Sequence, residues 1–204
     1  MNKEISSNQL RKKFNDCRDN KKYTSGILLL RKWLRKNPDD QNTLSMLAEL
    51  LDKRGLDKKR SRDLIESEKI YDYLIKKFPK FNGGYFGKIR FLLRRKDKQA
   101  LIYAKKYLKI SKDNSYNMYI GHCYREFKDL KNAEKHYLIG YKAIKGHYGP
   151  DYALATLYIE MGDQLKAKIY AKKGIKKFAK MPPKYHKSSL TKKYIRELKK
   201  IVSN

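Results

Sequence analysis

Apolar side chains in this 204-residue chain return every three or four positions and do not alternate with polar ones. Leu10, Phe14 and Cys17 form one row, Gly26, Leu30 and Trp33 a second, and Ser67, Tyr71 and Leu74 a third. This spacing places each row on one face of a helix. Breakers separate the rows, and the pattern predicts helices over 7–20, 24–36, 41–53, 62–78, 83–95, 98–111, 115–127, 131–144, 150–161 and 165–180. After Met181-Pro-Pro183, Leu190, Tyr194, Leu198 and Ile201 recur at the same spacing in a segment otherwise full of Lys, which predicts a polar helix closing the array.

The helices repeat in pairs. Ala100-Leu-Ile-Tyr-Ala-Lys-Lys-Tyr-Leu-Lys109 returns as Ala167-Lys-Ile-Tyr-Ala-Lys-Lys-Gly-Ile-Lys176, with a middle copy at Ala133, so one period is near 34 residues. Gly87, Gly121 and Ala155 follow the same period in the preceding helices, with Tyr124 and Tyr158 three residues after the last two. This pattern resembles the tetratricopeptide repeat, which places small residues at positions 8, 20 and 27, Tyr at 11, Gly at 15, an aromatic ring at 24 and Pro at 32. Copy four supplies Gly121, Tyr124, Ala133, Tyr137 and Gly140; copy five supplies Ala155, Tyr158, Gly162, Ala167 and Gly174. Pro38 and Pro79 close two earlier copies, the second with about seven extra residues assigned to the turn Gly55-Leu-Asp-Lys-Lys-Arg-Ser-Arg62.

The resemblance implies an all-α, right-handed superhelical solenoid of about five helix pairs. Its copies fall near 7–40, 41–81, 82–114, 115–147 and 148–181, with 182–204 as a basic C-terminal capping helix. Small residues let the paired helices approach, rings fill the space between copies, and stacking buries faces that one pair cannot bury alone. The family's partner groove is lined by the first helices. On this chain it falls on Arg11, Asn15, Arg18, Ser45, Glu49, Met118, His122, Arg125, Tyr152 and Thr156. Some relatives clamp a terminal carboxylate with Lys and Asn; Arg11 and Asn15 match the first pair, but Met46, Gly83 and Gly87 break the rest of that set.

Charge narrows the partner. Fifty-one Lys and Arg against 21 Asp and Glu give a formal charge of +30, which repels itself in a compact state and attracts acidic surfaces or polyanions. Position 29, near the end of each second helix, is basic in every copy: Arg35, Lys76, Lys109, Lys142 and Lys176. Lys105, Lys106, Lys172 and Lys173 extend this ladder, as do Arg31 and Lys32. Cations there gain from the helix dipole, and a stripe of them also follows a phosphate backbone. Lys58-Lys-Arg-Ser-Arg62 reads as a solvated loop, with a nuclear import signal as the alternative.

Catalytic and metal patterns are missing from the sequence. Gly83-Gly84 lacks the Lys-Ser/Thr of a phosphate loop, and the four His are never three or four residues apart. His122 and Cys123 are adjacent on a helix and point about 100° apart. Of the 17 Tyr, Tyr116, Tyr119, Tyr148 and Tyr185 lie off the packing positions and are the ones open to base stacking. The polar Met1–Leu10 has no apolar core of a secretion signal, no run of 18 apolar residues occurs, and Cys17 and Cys123 lie far apart, so the expected compartment is the reducing cytoplasm, with the nucleus as the alternative. The expectation is a non-catalytic scaffold without cofactor or small-molecule substrate, binding an acidic protein or peptide. The alternative is an RNA-associated repeat module with low sequence specificity.

Overall fold

A computed structural model describes residues 5–186 and 189–203, without the side chains of residues 184, 185 and 189. Its helices are α1 (Ser7–Asp19), α2 (Tyr23–Lys36), α3 (Gln41–Asp57), α4 (Ser61–Lys77), α5 (Asn82–Leu93), α6 (Gln99–Ser111), α7 (Asn117–Glu126), α8 (Leu130–Ala143), α9 (Gly149–Glu160), α10 (Gln164–Ala179), a single turn α11 (Pro183–His186) and α12 (Ser189–Ser203). A 3-10 turn at Asn114–Tyr116 precedes α7. No strand occurs among the described residues. The chain divides into two compact units, Met1–Tyr103 and Ala104–Asn204.

One turn geometry joins the first and second helix of every pair. Lys21, Lys59, Lys96, Lys128 and Gly162 have positive φ, at 56°, 51°, 54°, 64° and 79°. In each case the next amide donates to the carbonyl five residues before it: Lys22 to Cys17, Arg60 to Gly55, Asp97 to Leu92, Asp129 to Tyr124 and Asp163 to Tyr158, over 2.8–3.0 Å. This is the left-handed helix stop that satisfies the last free carbonyls. Four lysines therefore take the left-handed conformation that the family gives to glycine.

The same turn corrects the reading of copy two. The extra residues do not form a loop: Gly55, Leu56 and Asp57 continue α3, Ser61 and Arg62 open α4, and both helices reach 17 residues. Seven residues make about two helical turns, so sharing them between the two helices preserves the faces that pack. The extension is fastened on its own terms. Arg54 donates from Nε and Nη2 to the Asp63 carboxylate at 2.7 and 2.9 Å, and from Nη1 to Thr24 Oγ1 at 3.2 Å, while Tyr23 donates to Asp57 at 2.9 Å.

Side-chain caps start several helices. Ser6 and Gln9 form a reciprocal capping box on α1, Asp40 accepts from the Asn42 and Thr43 amides on α3, and Asp129 and Asp163 do the same for Asn132 and Lys166. In the N-terminal unit, Leu10, Phe14, Ile27, Leu30, Leu47, Leu50 and Leu51 form the core beneath α1, α2 and α3. In the C-terminal unit, Tyr137, Leu154, Leu157 and Tyr158 pack around Ala133 and Ala167, the small residues of the repeat. Gly121 shows why small residues are required: a Cβ there would lie 2.4 Å from the Tyr137 ring.

The closing helix α12 packs on α10 and α9. Its buried face is Thr191, Ile195 and Leu198, flanked by Tyr194 and Ile201, whereas Leu190 stays 55% exposed. Leu198 reaches Gly174 of α10, within 2.9 Å of where a Cβ would stand.

Candidate functional site

In the N-terminal unit the first helices of three successive copies line one cleft of about 260 Å³. Arg11, Phe14, Asn15 and Arg18 of α1 face Asn42, Ser45 and Met46 of α3 and Phe81, Asn82 and Gly83 at the start of α5. Four of the residues expected on a partner groove, Arg11, Asn15, Arg18 and Ser45, are thereby brought together. Arg18 lies over the Phe14 ring at 5.3 Å and donates to Asp19 at 2.9 Å. Ser45 Oγ donates to the Gly83 carbonyl at 3.5 Å, holding α3 to the start of α5. Among the described residues no carboxylate lines this cleft.

Glu49, expected on the same groove, lies outside the cleft, with Arg90 at 3.9 Å. Beyond it the row is closed by ion pairs. Asp52 is fully buried against Arg94 and Arg95, and Lys88 is 3% exposed between Glu68 and Asp72 at 2.9 and 2.8 Å. Asn42 and Asn82 line the cleft although the sequence reading did not name them. Their signal was position: each stands at the start of a first helix, where a short amide side chain points across to the preceding copy.

In the C-terminal unit the expected groove residues separate. Met118 is corrected to a core residue: it is 8% exposed and packs beneath Gly140. Tyr152 is covered by α12; its ring stacks on Tyr194 at 4.2 Å and its hydroxyl donates to Glu197. His122 Nδ1 and the Tyr137 hydroxyl share a hydrogen bond at 2.8 Å. His122 is exposed as a residue, and desolvation of its ring by the surrounding protein, with Arg125 nearby, holds its pKa below the ordinary imidazole range. Arg125 donates to Glu160 at 2.6 and 3.0 Å and to Thr156 at 2.9 Å, which ties α7 to α9. With Glu197, Lys200 and Ile201 of α12 they border a second cleft of about 420 Å³. Glu160 holds Arg125, and Glu197 and Lys200 carry opposite charges, so the cleft has little net charge.

The nine ladder cations, Arg35, Lys76, Lys105, Lys106, Lys109, Lys142, Lys172, Lys173 and Lys176, are all exposed. Among the described residues none has a carboxylate partner, though Lys105 and Lys173 lie over the rings of Tyr124 and Tyr170 at 5.7 and 5.1 Å. Neighbouring cations behave differently: Arg31 is paired with Glu66 at 2.7 Å, and Lys177 with Asp151 at 2.6 Å. Arg31 is therefore not among the cations without a carboxylate partner.

Burial pushes the Cys123 thiol up to about 12, so it is a packed, protonated side chain. Of the tyrosines open to stacking, Tyr148 is buried at 6%, Tyr116 meets Tyr107 edge to face at 4.8 Å, and Tyr119 lies against Tyr116 at 6.3 Å. The side chain of Tyr185 is outside the described residues. Among the described residues no three His, Cys, Asp or Glu gather as a metal site, and no helix is long and apolar enough to cross a membrane.

Helix pairs joined by one recurrent turn, with small residues at each close approach, define a tetratricopeptide-repeat fold. Solved structures agree. The chain is similar to TTC0263, a thermophilic TPR protein of Thermus thermophilus, at 18% identity and TM-score 0.72 over 98% of this chain and 100% of that one. It is also similar to a tetratricopeptide repeat protein of Parabacteroides merdae, at 12% identity and TM-score 0.69 over 96% of this chain and 70% of the other. MamA of Desulfovibrio magneticus matches at 16% identity and TM-score 0.57, covering 83% of this chain and 93% of that one. No family model and no curated protein matches the sequence.

Proposed function

We propose that this chain is a non-catalytic interaction scaffold whose N-terminal cleft seats an acidic segment of a partner protein. The observation that carries this reading is the convergence of two guanidinium groups, Arg11 and Arg18, with the carboxamides of Asn15, Asn42 and Asn82 around one cleft that no carboxylate lines among the described residues; Arg18 uses its Nε on Asp19. Guanidinium groups take carboxylates through paired N–H donors, and carboxamides donate to and accept from an extended peptide backbone. Phe14, Met46 and Phe81 supply apolar surface beside them. The +30 charge adds long-range attraction that speeds encounter with an acidic partner. This reading uses no cofactor and no small-molecule substrate. The two cysteines are unpaired, consistent with a reducing compartment such as cytoplasm or nucleus.

The test is fluorescence anisotropy with a labelled Glu/Asp-rich peptide and its Gln/Asn counterpart near physiological salt. The expected result is a preference for the acidic peptide that falls at least tenfold in Arg11→Glu/Arg18→Glu and persists in Lys109→Glu/Lys142→Glu/Lys176→Glu. Equal loss in both variants would contradict a groove-based mode.

A second reading has its own support. Nine exposed ladder cations without carboxylate partners are what a phosphate backbone needs, and they favour RNA contact of low sequence specificity. Retained RNA binding in the groove variant and loss in the ladder variant would select it.

A further inference from the structure

A third cleft, of about 510 Å³ in the N-terminal unit, lies where the first two helix-pair turns meet. Lys21, Lys22, Arg54, Lys58 and Arg60 line it together with Tyr23, Thr24 and Ser25. Among the described residues no carboxylate lines it. Two carboxylates are bonded to its lining residues: Asp57, which accepts from Tyr23 and has Lys21 at 3.9 Å, and Asp63, held by Arg54 at 2.7 Å and by Arg60 at 3.5 Å. Five cations against two carboxylates leave an excess of three positive charges. The basic run Lys58-Lys-Arg-Ser-Arg62 is therefore one wall of a cleft, and two of its members face the turn of the preceding copy.

We infer that this cleft binds a phosphoryl group. Lys22 and Arg60 occupy the residues before α2 and α4, where copies four and five carry the capping Asp129 and Asp163. With Lys in that place no side chain caps α2, and the Thr24 and Ser25 amides belong to the first turn, whose N–H groups have no partner within the helix. Thr24 Oγ1 already accepts from Arg54, which leaves its hydroxyl hydrogen to donate into the cleft. Ammonium groups from Lys22 and Lys58 and the hydroxyls of Thr24 and Ser25 thus approach one volume from different sides. Three terminal oxygens carrying close to two negative charges match that arrangement, and a planar carboxylate with one charge matches it poorly. The site is separate from the acidic-peptide cleft and shares no lining residue with it.

The experiment is a titration of the ¹⁵N-labelled full chain with inorganic pyrophosphate near physiological salt, read at the Thr24 and Ser25 amides. The expected result is saturable shifts at those amides, weakened at least tenfold in Lys22→Gln/Lys58→Gln and unchanged in Arg11→Glu/Arg18→Glu. Both Lys22 and Lys58 are exposed, so this variant keeps its fold, which its remaining amide spectrum confirms. A phosphoserine peptide that competes with pyrophosphate identifies a phosphoprotein as the source of the group. A peptide that fails to compete identifies a free phosphate compound. The proposal is overturned if pyrophosphate produces no saturable shift at Thr24 and Ser25. It is also overturned if Lys22→Gln/Lys58→Gln binds as tightly as the parent, or if Lys109→Gln/Lys142→Gln/Lys176→Gln weakens binding as much. Failure here leaves the acidic-peptide result untouched, because the two clefts are read by different variants.

Discussion

Replacing Gly162 with alanine isolates the conformational term of the repeated turn. Its φ is +79°, and a Cβ there meets nothing within 4 Å, so the change creates no clash and removes no contact. A side chain in the left-handed region costs about 1–2 kcal/mol, while alanine returns about 0.4–1 kcal/mol by restricting the unfolded chain. The net loss is about 1 kcal/mol. Lys128 supplies the mirror experiment, since it holds the same place in copy four at φ 64° and is exposed. Lys128→Gly keeps both turn hydrogen bonds, which are backbone to backbone, and is expected to gain a little under about 1 kcal/mol. Urea unfolding followed by far-ultraviolet circular dichroism reads both variants. Each should shift the midpoint in opposite directions without changing the slope. In a thermal scan about 1 kcal/mol corresponds to roughly 2–4 °C in a chain of this size. A neutral or stabilising Gly162→Ala, or a destabilising Lys128→Gly, would refute the reasoning that the five turns share one left-handed geometry.

Two further outcomes are expected. Asp40→Ala should cost about 1–2 kcal/mol, because it removes the α3 cap and strands the Trp33 Nε1–H that donates to Asp40 at 2.8 Å; equilibrium denaturation followed by Trp33 fluorescence checks this. Burial works to raise the Asp40 pKa, but donors from Thr43, Trp33 and Asn42 outweigh it and hold the carboxyl below its ordinary value of 3.8. Its stabilisation is therefore complete above pH 3.8 and lost as pH falls through the lower folded value, so the gap between parent and variant should close in acid. Leu198→Ala should cost about 2–4 kcal/mol and loosen α12, since Leu198 is fully buried between α12 and α10; faster amide exchange in α12 than in α9 is the signature, and uniform exchange would contradict it.

The helix pairs were legible because small residues at fixed spacing have one physical use, the close approach of two helices. Gly121, Ala133, Ala155 and Ala167 gave the register, and the helices formed within a few residues of their expected ends, apart from α3. Copy two misled because its one glycine, Gly55, lies inside α3, four residues before the turn. Lys59 adopts the left-handed turn that glycine marks in copy five, and composition does not reveal a lysine at positive φ. The groove was half legible. Arg11, Asn15, Arg18 and Ser45 converge because first helices of neighbouring copies present the same positions side by side. Met118 and Tyr152 hold equivalent positions, but one is taken into the core by its approach to Gly140 and the other is covered by Tyr194 and Glu197. Those losses depend on packing partners far along the chain, which the local pattern does not encode. The cation cleft was hidden for the same reason, since Lys22 and Lys58 meet only through the paired turns.

The most direct test of the central claim is binding of the full chain to an acidic polypeptide and to a structured RNA across a salt series. Both are polyanions, so simple attraction weakens in parallel for each as salt rises. The account predicts that acidic-polypeptide binding outlasts RNA binding near physiological salt and disappears in Arg11→Glu/Arg18→Glu. RNA binding that persists where polypeptide binding has vanished, and is lost with Lys109→Glu/Lys142→Glu/Lys176→Glu, would contradict it and move the function to the ladder.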